Sequence, residues 1–198
     1  MIYRIKPGQV SYGEAVGILL LDSCAPFIPG DVANATTYSY PVRFEPVEGL
    51  TVERIFNHDK SLLGAVIEAA INLKKSGVRA ITGDCGFMAI YQKHLAKIIG
   101  LPVFMSSLLQ IPFMAHLIGS SEKIGVLTAN KQALTREVLE PCGAYLPEKL
   151  HVEGLENCPG FSSAFIKEEG ILELEKVKAE VVQTACNMLE MDSTIKLL

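Results

Sequence analysis

The sequence lacks any apolar run long enough to cross a membrane. Its most hydrophobic stretch, residues 15–21, stops at Asp22, whereas a membrane-spanning helix needs about 20 predominantly apolar residues. It also lacks a basic block, and its formal net charge is −4, so it has no electrostatic footprint for nucleic acid. Residues 1–8 contain no apolar signal-peptide core. We therefore expect neither a membrane nor a nucleic-acid partner.

Cysteine and histidine are present, but not in the patterns of a disulfide scaffold or a zinc site. The five cysteines are an odd number without a Cys-x-x-Cys pair, which favours a reduced, cytoplasmic protein. None of the four histidines has a His or Cys partner at metal-ligand spacing, so we predict no metal site. With 49% hydrophobic and 20% charged residues, the chain has ample material for a folded core.

One cysteine lies in a context that favours chemistry. A strand-like run over residues 78–82 ends at Gly83, and Cys85 follows between Asp84 and Gly86, just before a helical pattern. A thiol at the carboxyl end of a strand lies where α/β proteins bind ligands, and the free N–H groups of a helix start favour the thiolate. The alternative is that Cys85 packs as a small hydrophobe. Its small, polar neighbours favour the reactive interpretation.

Strand and helix patterns alternate along the chain, which predicts an α/β fold with parallel strands and right-handed crossovers. The predicted strands cover residues 15–21, 51–56, 78–82, 101–105, 123–128, 150–153 and 195–198. Most of them are separated by stretches with an apolar stripe at helical spacing. We divide the chain into a first α/β lobe, residues 1–107, and a second α/β lobe, residues 108–198, with the sequence stopping in the last predicted strand.

Small polar residues follow two of the predicted strands. Asp22 and Ser23 come after the first strand, and Thr128, Ala129 and Asn130 end the first strand of the second lobe. Because ligands bind at the carboxyl ends of parallel strands, we expect these residues to lie near the reactive thiol. The simpler alternative for Asp22 is a turn cap. The loop after the first strand is long, which is typical of a functional loop.

Five short segments, taken in their order and spacing, resemble a known family. They are GILLLD at residues 17–22, IPGDV at 28–32, ITGDCGF at 81–87, SSLLQ at 106–110 and GVLTA at 125–129. Together they are similar to the aspartate/glutamate racemase superfamily, particularly its hydantoin-racemase-like and uncharacterised branches. The resemblance implies two Rossmann-like lobes with the active site in the cleft between them. It also implies an isomerase that racemises or epimerises an amino acid or related small acid without a cofactor.

The resemblance also implies roles for individual residues. Enzymes of this family use two cysteines on opposite faces of the substrate, one as thiolate base and the other as thiol acid, and Cys85 matches the first position. A small carboxylate substrate would be held at the strand ends. The implied substrate-binding positions are Asp22, Ser23, Asp84, Gly86, Ser107, Thr128, Ala129 and Asn130. A homodimer is the expected assembly if the chain self-associates.

The second cysteine of the family has no match in this sequence, because the chain stops in the strand that it would follow. Cys24, Cys142, Cys158 and Cys186 occur in other contexts. Three functions therefore stay open: a racemase or epimerase, a single-thiol decarboxylase or cis–trans isomerase of a small dicarboxylic acid, and a non-catalytic small-acid binding protein. If its helix-start position activates Cys85, we expect faster alkylation there at neutral pH than at Cys142 or Cys186.

Overall fold

The computed structural model describes residues 1–2 and 8–198, so part of the predicted first lobe's amino-terminal segment lies outside the described residues. The strands are β1 (Val16–Leu20), β2 (Val42–Pro46), β3 (Ala80–Gly83), β4 (Val103–Phe104), β5 (Lys123–Thr128), β6 (Leu150–Gly154) and β7 (Ile195–Leu197). The α-helices are α1 (Val52–Phe56), α2 (Leu63–Lys75), α3 (Gln92–Ile98), α4 (Ile111–Ala115), α5 (Arg136–Leu139), α6 (Pro159–Phe161) and α7 (Leu174–Met191).

The first sheet has four parallel strands in the order β2-β1-β3-β4. β1 lies between two neighbours, and its residues Ile18 and Leu19 are fully buried, which explains why its sequence is apolar without a polar break. Helix α2 packs over β1 and β2 through an apolar stripe that includes Val66, Ala70 and Leu73. The parallel order brings the carboxyl ends of β1 and β3 to the same edge.

The second sheet has three parallel strands in the order β6-β5-β7. β7 pairs with β5, so the predicted last strand is confirmed as a member of this sheet. Helix α7 precedes β7 and buries Val177 and Met188, while its glutamates and lysines lie largely on the outer face. Both sheets together confirm the predicted α/β class with parallel strands and flanking helices.

Two local predictions are wrong. Residues 51–56, predicted as a strand, form helix α1, because the Thr51 side chain accepts a hydrogen bond from the Arg54 N–H and caps the helix. The strand that completes the sheet is instead β2, which the sequence pattern did not indicate. It lies at the edge of the sheet, where no residue of the strand is fully buried, so its alternation of apolar and polar residues is weak.

The apolar core runs from one sheet to the other. Leu19 and Ile81 of the first sheet belong to the same buried cluster as Ile124 and Val138 of the second part of the chain. The boundary between lobes at residues 107 and 108, and the expected homodimer, stay predictions. No helix in the described part of the chain is both long and apolar enough to cross a membrane.

Candidate functional site

Cys85 is placed by the end of strand β3 and the helical turn that follows it. Gly83 closes the strand, and a Cβ at this position would lie 2.7 Å from the Met88 Sδ atom and 2.9 Å from the Met105 Cε atom. The absence of a side chain therefore lets the strand end pack closely against the next segment. Cys85 has extended backbone angles and precedes a 3₁₀ helix, Gly86–Tyr91, whose Met88 N–H donates to the Cys85 carbonyl at 3.0 Å.

The half-buried Cys85 side chain faces a cavity of about 410 Å³ that lies between the two sheets. The first part of the chain contributes five of the predicted residues to its wall, which are Ser23, Asp84, Cys85, Gly86 and Ser107. The end of β5 contributes Thr128 and Ala129. The predicted strand ends therefore converge on one cavity.

Two of the predicted residues do not line this cavity. The Asp22 carboxylate accepts a hydrogen bond from the Gly49 N–H at 2.9 Å, so it caps the turn beside α1, as the simpler alternative expected. The Asn130 side chain accepts a hydrogen bond from the Ala133 N–H at 3.0 Å. Both side chains accept hydrogen bonds from backbone N–H groups of residues that do not line the cavity.

Asp84 links the ends of two strands. Its two carboxylate oxygens accept hydrogen bonds from the Leu21 N–H at 3.0 and 3.2 Å, and its own N–H donates to the Leu19 carbonyl at 3.0 Å. Burial raises the pKa of Asp84 to about 6, and the negative charge of Asp31 acts in the same direction. The Leu21 hydrogen bonds oppose this shift without cancelling it. Asp84 therefore holds the β1 and β3 ends together at the floor of the cavity.

The electrostatic environment of Cys85 differs from the sequence-based expectation. Burial raises the pKa of the Cys85 thiol to about 12, and the neighbouring Asp84 carboxylate adds to the rise. Hydrogen bonds from the Phe87 and Met88 N–H groups lower the pKa, as a helix start should, but they do not offset desolvation. Desolvation therefore opposes the thiolate that the helix start was expected to favour, and it favours a thiol at Cys85 in the ligand-free protein.

The cavity wall contains residues that the sequence did not single out. Five phenylalanines contribute to it, which are Phe27, Phe56, Phe87, Phe161 and Phe165. Asp31 also lines the cavity, from the long loop after β1. The length of that loop and the IPGDV segment that contains Asp31 were signals of function, but no role was predicted for Asp31 itself. The phenylalanines at 161 and 165 gave no local signal, because Phe161 ends the short helix α6 and Phe165 lies on the π-helical turn, Ser162–Ile166, that follows it.

Two segments that each carry residues of the cavity wall are joined by a hydrogen bond. The Cys24 N–H donates to Glu168 Oε1 at 2.8 Å, and Glu168 adopts the left-handed conformation with φ of 54°. This hydrogen bond joins the loop after β1 to the segment that follows the π-helical turn. Across the described residues, no group of three or more His, Cys, Asp or Glu side chains is arranged to hold a metal ion.

The fold and the site together define a parallel α/β protein with a buried thiol at the end of a strand, facing a cavity between two sheets. Among curated proteins, the chain is similar to dimethylsulfoniopropionate lyase 3 of Emiliania huxleyi, at 33% identity over 155 residues, which is 75% of this chain and 40% of that protein. It is also similar to the dimethylsulfoniopropionate lyase of Durusdinium sp. clade D, at 33% identity over 178 residues, 86% of this chain and 58% of that protein.

The chain thus spans between 40% and 58% of the length of these two relatives. No protein-family model matches the chain. Among solved structures, a point mutant of arylmalonate decarboxylase in a sulfate-associated form is similar over 86% of this chain and 85% of that chain, with 16% sequence identity and a TM-score of 0.46.

These comparisons correct the expected reaction class. The relatives are named lyases, so the expectation of an isomerase or racemase is wrong. A decarboxylase, which was part of the alternative single-thiol hypothesis, is itself a lyase by reaction class. The enzymatic alternative therefore agrees with the relatives better than the main hypothesis does.

Proposed function

We propose that the chain is a lyase that eliminates a β-substituent from a small carboxylate, with dimethylsulfoniopropionate as the candidate substrate. The observation that carries this proposal is the similarity, over 86% of the chain, to a protein named dimethylsulfoniopropionate lyase. Membership of the aspartate/glutamate racemase superfamily is part of the same proposal, and the five matching segments support it. The cavity that contains Cys85 is the proposed active site.

The chemistry of the candidate substrate defines what the site has to do. Dimethylsulfoniopropionate carries a carboxylate at one end and a dimethylsulfonium group at the other. A base removes a proton from the carbon next to the carboxylate, and the released electron pair forms a carbon–carbon double bond. The C–S bond breaks at the same time or afterwards, and sulfur leaves with the bonding pair as neutral dimethyl sulfide. The other product is acrylate, and the base returns its proton to solvent.

Cys85 is the proposed base. A thiolate at this position has to form before it can accept the proton, and without a ligand the pKa of Cys85 is about 12. A sulfonium group inside the cavity brings a positive charge close to the thiol, which lowers its pKa. The substrate therefore favours the ionisation that its own reaction requires. A thiolate with a high intrinsic pKa is also the stronger base once it has formed.

The carboxylate end of the substrate needs hydrogen-bond donors. Ser107 and Thr128, which each carry a hydroxyl group, line the cavity, as do Gly86 and Ala129. Ser107 begins a 3₁₀ helix, Ser107–Gln110, and Thr128 ends strand β5. Donors held on such element ends would stabilise the negative charge that grows on the carboxylate as the proton leaves. We assign carboxylate binding to these four positions.

The charge of the cavity wall favours a zwitterion over a dicarboxylic acid. Asp31 and Asp84 line the cavity, and no Lys, Arg or His side chain does so among the described residues. A dicarboxylate would bring two negative charges to a wall that already carries two carboxyl groups, with no side-chain cation to offset them. A substrate with its own cation avoids this cost. The alternative of a dicarboxylate decarboxylase or isomerase is therefore disfavoured.

Dimethyl sulfide release tests the proposal directly. The purified protein is incubated with dimethylsulfoniopropionate, and headspace gas chromatography measures dimethyl sulfide while proton NMR measures acrylate. We expect Cys85→Ser to lower kcat by at least about 100-fold, because the hydroxyl is a far weaker acid than the thiol. Cys186→Ser is the matched control, since Cys186 is exposed on α7 and should leave the rate unchanged. Absence of both products, or an equally active Cys85→Ser protein, would contradict the proposal.

A further inference from the structure

The two acidic side chains of the cavity wall differ in how many of their oxygens are available. Both oxygens of Asp84 accept hydrogen bonds from the Leu21 N–H. Asp31 commits one oxygen, Oδ1, to the Ala33 N–H at 2.8 Å. Its second oxygen, Oδ2, has no hydrogen-bond partner in the described part of the chain. Asp31 therefore has a carboxylate oxygen to offer to a ligand.

The loop that carries Asp31 is fixed by its own hydrogen bonds. The Asp31 N–H donates to the Ile28 carbonyl at 3.0 Å across a turn in which Gly30 has a φ of 105°, a conformation that favours glycine. The Asp31 carbonyl accepts a hydrogen bond from the Thr37 hydroxyl at 2.6 Å. The Asn34 side chain donates to the Phe27 carbonyl at 2.9 Å. The carboxylate is thus positioned before any ligand arrives, which reduces the entropy lost on binding.

The remaining surface around the ligand space is rich in aromatic rings. Phe161 and Phe165 form one pair, with ring centroids 5.2 Å apart, and Phe56 and Phe87 form another, with centroids 4.9 Å apart. All four line the same cavity as Asp31. The faces of such rings attract cations that carry alkyl groups, such as sulfonium and quaternary ammonium ions. An anion gains nothing comparable from these faces.

We propose that Asp31, together with the phenyl rings of the cavity, binds the cationic end of the substrate and makes the site selective for carboxylates that carry an alkylated onium group. This inference rests on the proposed function for the location of the site and extends it to the orientation of the substrate. The onium group lies at the Asp31 side, and the carboxylate lies toward Ser107 and Thr128. The reacting carbon between the two ends is then presented to Cys85.

A pair of ligands with the same shape and different charge tests this proposal. The first is 3-(trimethylammonio)propanoate, whose trimethylammonium group is a poor leaving group, and the second is its neutral-tailed carbon analogue, 4,4-dimethylpentanoate. Isothermal titration calorimetry measures the Kd of each. We expect the wild-type protein to prefer the onium ligand by about 10-fold or more, from one ion pair and the ring contacts.

The Asp31→Asn variant removes the charge and keeps an oxygen that can accept from the Ala33 N–H. In this variant the preference for the onium ligand should fall to roughly equal affinities, while the Kd of 4,4-dimethylpentanoate stays within about 2-fold of the wild-type value. Glu48→Gln is the matched control, because Glu48 is exposed and does not line the cavity, and it should keep the full preference.

Each outcome decides the proposal separately from the lyase function. The role of Asp31 would be overturned if the wild-type protein showed no preference for the onium ligand, or if the Asp31→Asn variant kept that preference. It would also be overturned if Glu48→Gln abolished the preference as fully as Asp31→Asn does. Dimethyl sulfide release is measured on the same samples. If no dimethyl sulfide forms but the Asp31-dependent preference is present, the lyase proposal fails and onium recognition stands. The reverse result retains the lyase and removes this role of Asp31.

Discussion

The protonation state of Cys85 gives the sharpest quantitative prediction. The structure places its thiol pKa at about 12, against an ordinary value of 9.0. At neutral pH a rise of three units reduces the thiolate fraction by about 1,000-fold. The more basic thiolate is intrinsically more nucleophilic, with a Brønsted coefficient of about 0.4–0.5, so each thiolate reacts about 20-fold faster and part of the decrease is offset. We therefore expect Cys85 to be alkylated about 50-fold more slowly than an ordinary cysteine.

Timed alkylation with iodoacetamide, followed by peptide mass spectrometry, measures this rate at Cys85. A synthetic peptide of residues 80–90 supplies the unfolded reference for the same cysteine. Steric protection alone would slow the reaction by a constant factor at every pH. A raised pKa instead predicts a rate that continues to rise tenfold per pH unit beyond pH 10, where the rate for the peptide levels off near its own pKa.

This prediction reverses the order expected from the sequence. Burial also raises the pKa of Cys142, to about 11, whereas Cys186 is exposed on α7. Cys186 should therefore be alkylated before both Cys85 and Cys142. If Cys85 reacts at pH 7.5 as fast as the peptide, the dominance of desolvation over the helical N–H groups is refuted. Addition of an onium carboxylate should raise the alkylation rate of Cys85 only if the reagent still has access to the occupied cavity.

Three further predictions concern stability and ligand binding. Because the pKa of Asp84 is about 6 in the folded protein and 3.8 as a reference, the folded state binds this proton more tightly, and the contribution of Asp84 to stability falls as pH rises from about 4 to 6. Asp84→Asn should therefore raise the free energy of unfolding at pH 7 by roughly 1–3 kcal/mol, with little change at pH 4, in urea melts at both pH values; an equal gain at both pH values would contradict this. Gly83→Ala should lower the free energy of unfolding by about 1–3 kcal/mol, because the added methyl group would meet two methionine side chains. Gly64→Ala is the control, because Gly64 lies in helix α2 with open space around it. This variant should raise the free energy of unfolding by about 0.5–1 kcal/mol. Glu180 accepts hydrogen bonds at 2.8 Å from two N–H groups of the segment that carries two of the cavity's phenyl rings. Glu180→Ala should therefore raise the KM for dimethylsulfoniopropionate by several-fold, with a smaller effect on kcat. Glu175→Ala is the control, because Glu175 is exposed on the same helix, and it should change neither KM nor kcat.

The outline of the fold could be predicted where burial acts on both faces of an element. Strand β1 is enclosed by its neighbours, so its run of apolar residues identified it without further information. Strand β2 lies at the sheet edge with partly exposed side chains, so its residues carry no such signature. The alternation at residues 51–56 suggested a strand, but a single side-chain cap at Thr51 was enough to favour a helix there. The hydrogen bond of the helix cap therefore decided the local structure, against the short alternation of apolar and polar residues.

Part of the candidate site was also visible in the sequence. Small polar residues that follow strands mark the carboxyl edge of a parallel sheet, and this pattern alone predicts that Ser23, Cys85 and Thr128 lie in one region. Asp31 and Phe165 could not be found in this way. They reach the cavity through a loop and a π-helical turn that lie 134 positions apart in the sequence, and only tertiary packing brings them together.

The amino-acid sequence by itself determined the parallel α/β class and the position of Cys85 at the end of a strand, because both depend on local periodicity and on the residues next to them. Only the tertiary structure decided what kind of thiol Cys85 is. A helix start lowers a thiol pKa through its nearest N–H groups, whereas desolvation and the charge of Asp84 depend on everything that surrounds the side chain. Desolvation has the larger effect on the pKa of Cys85, because removing water from a charged sulfur costs more free energy than hydrogen bonds from two N–H groups contribute.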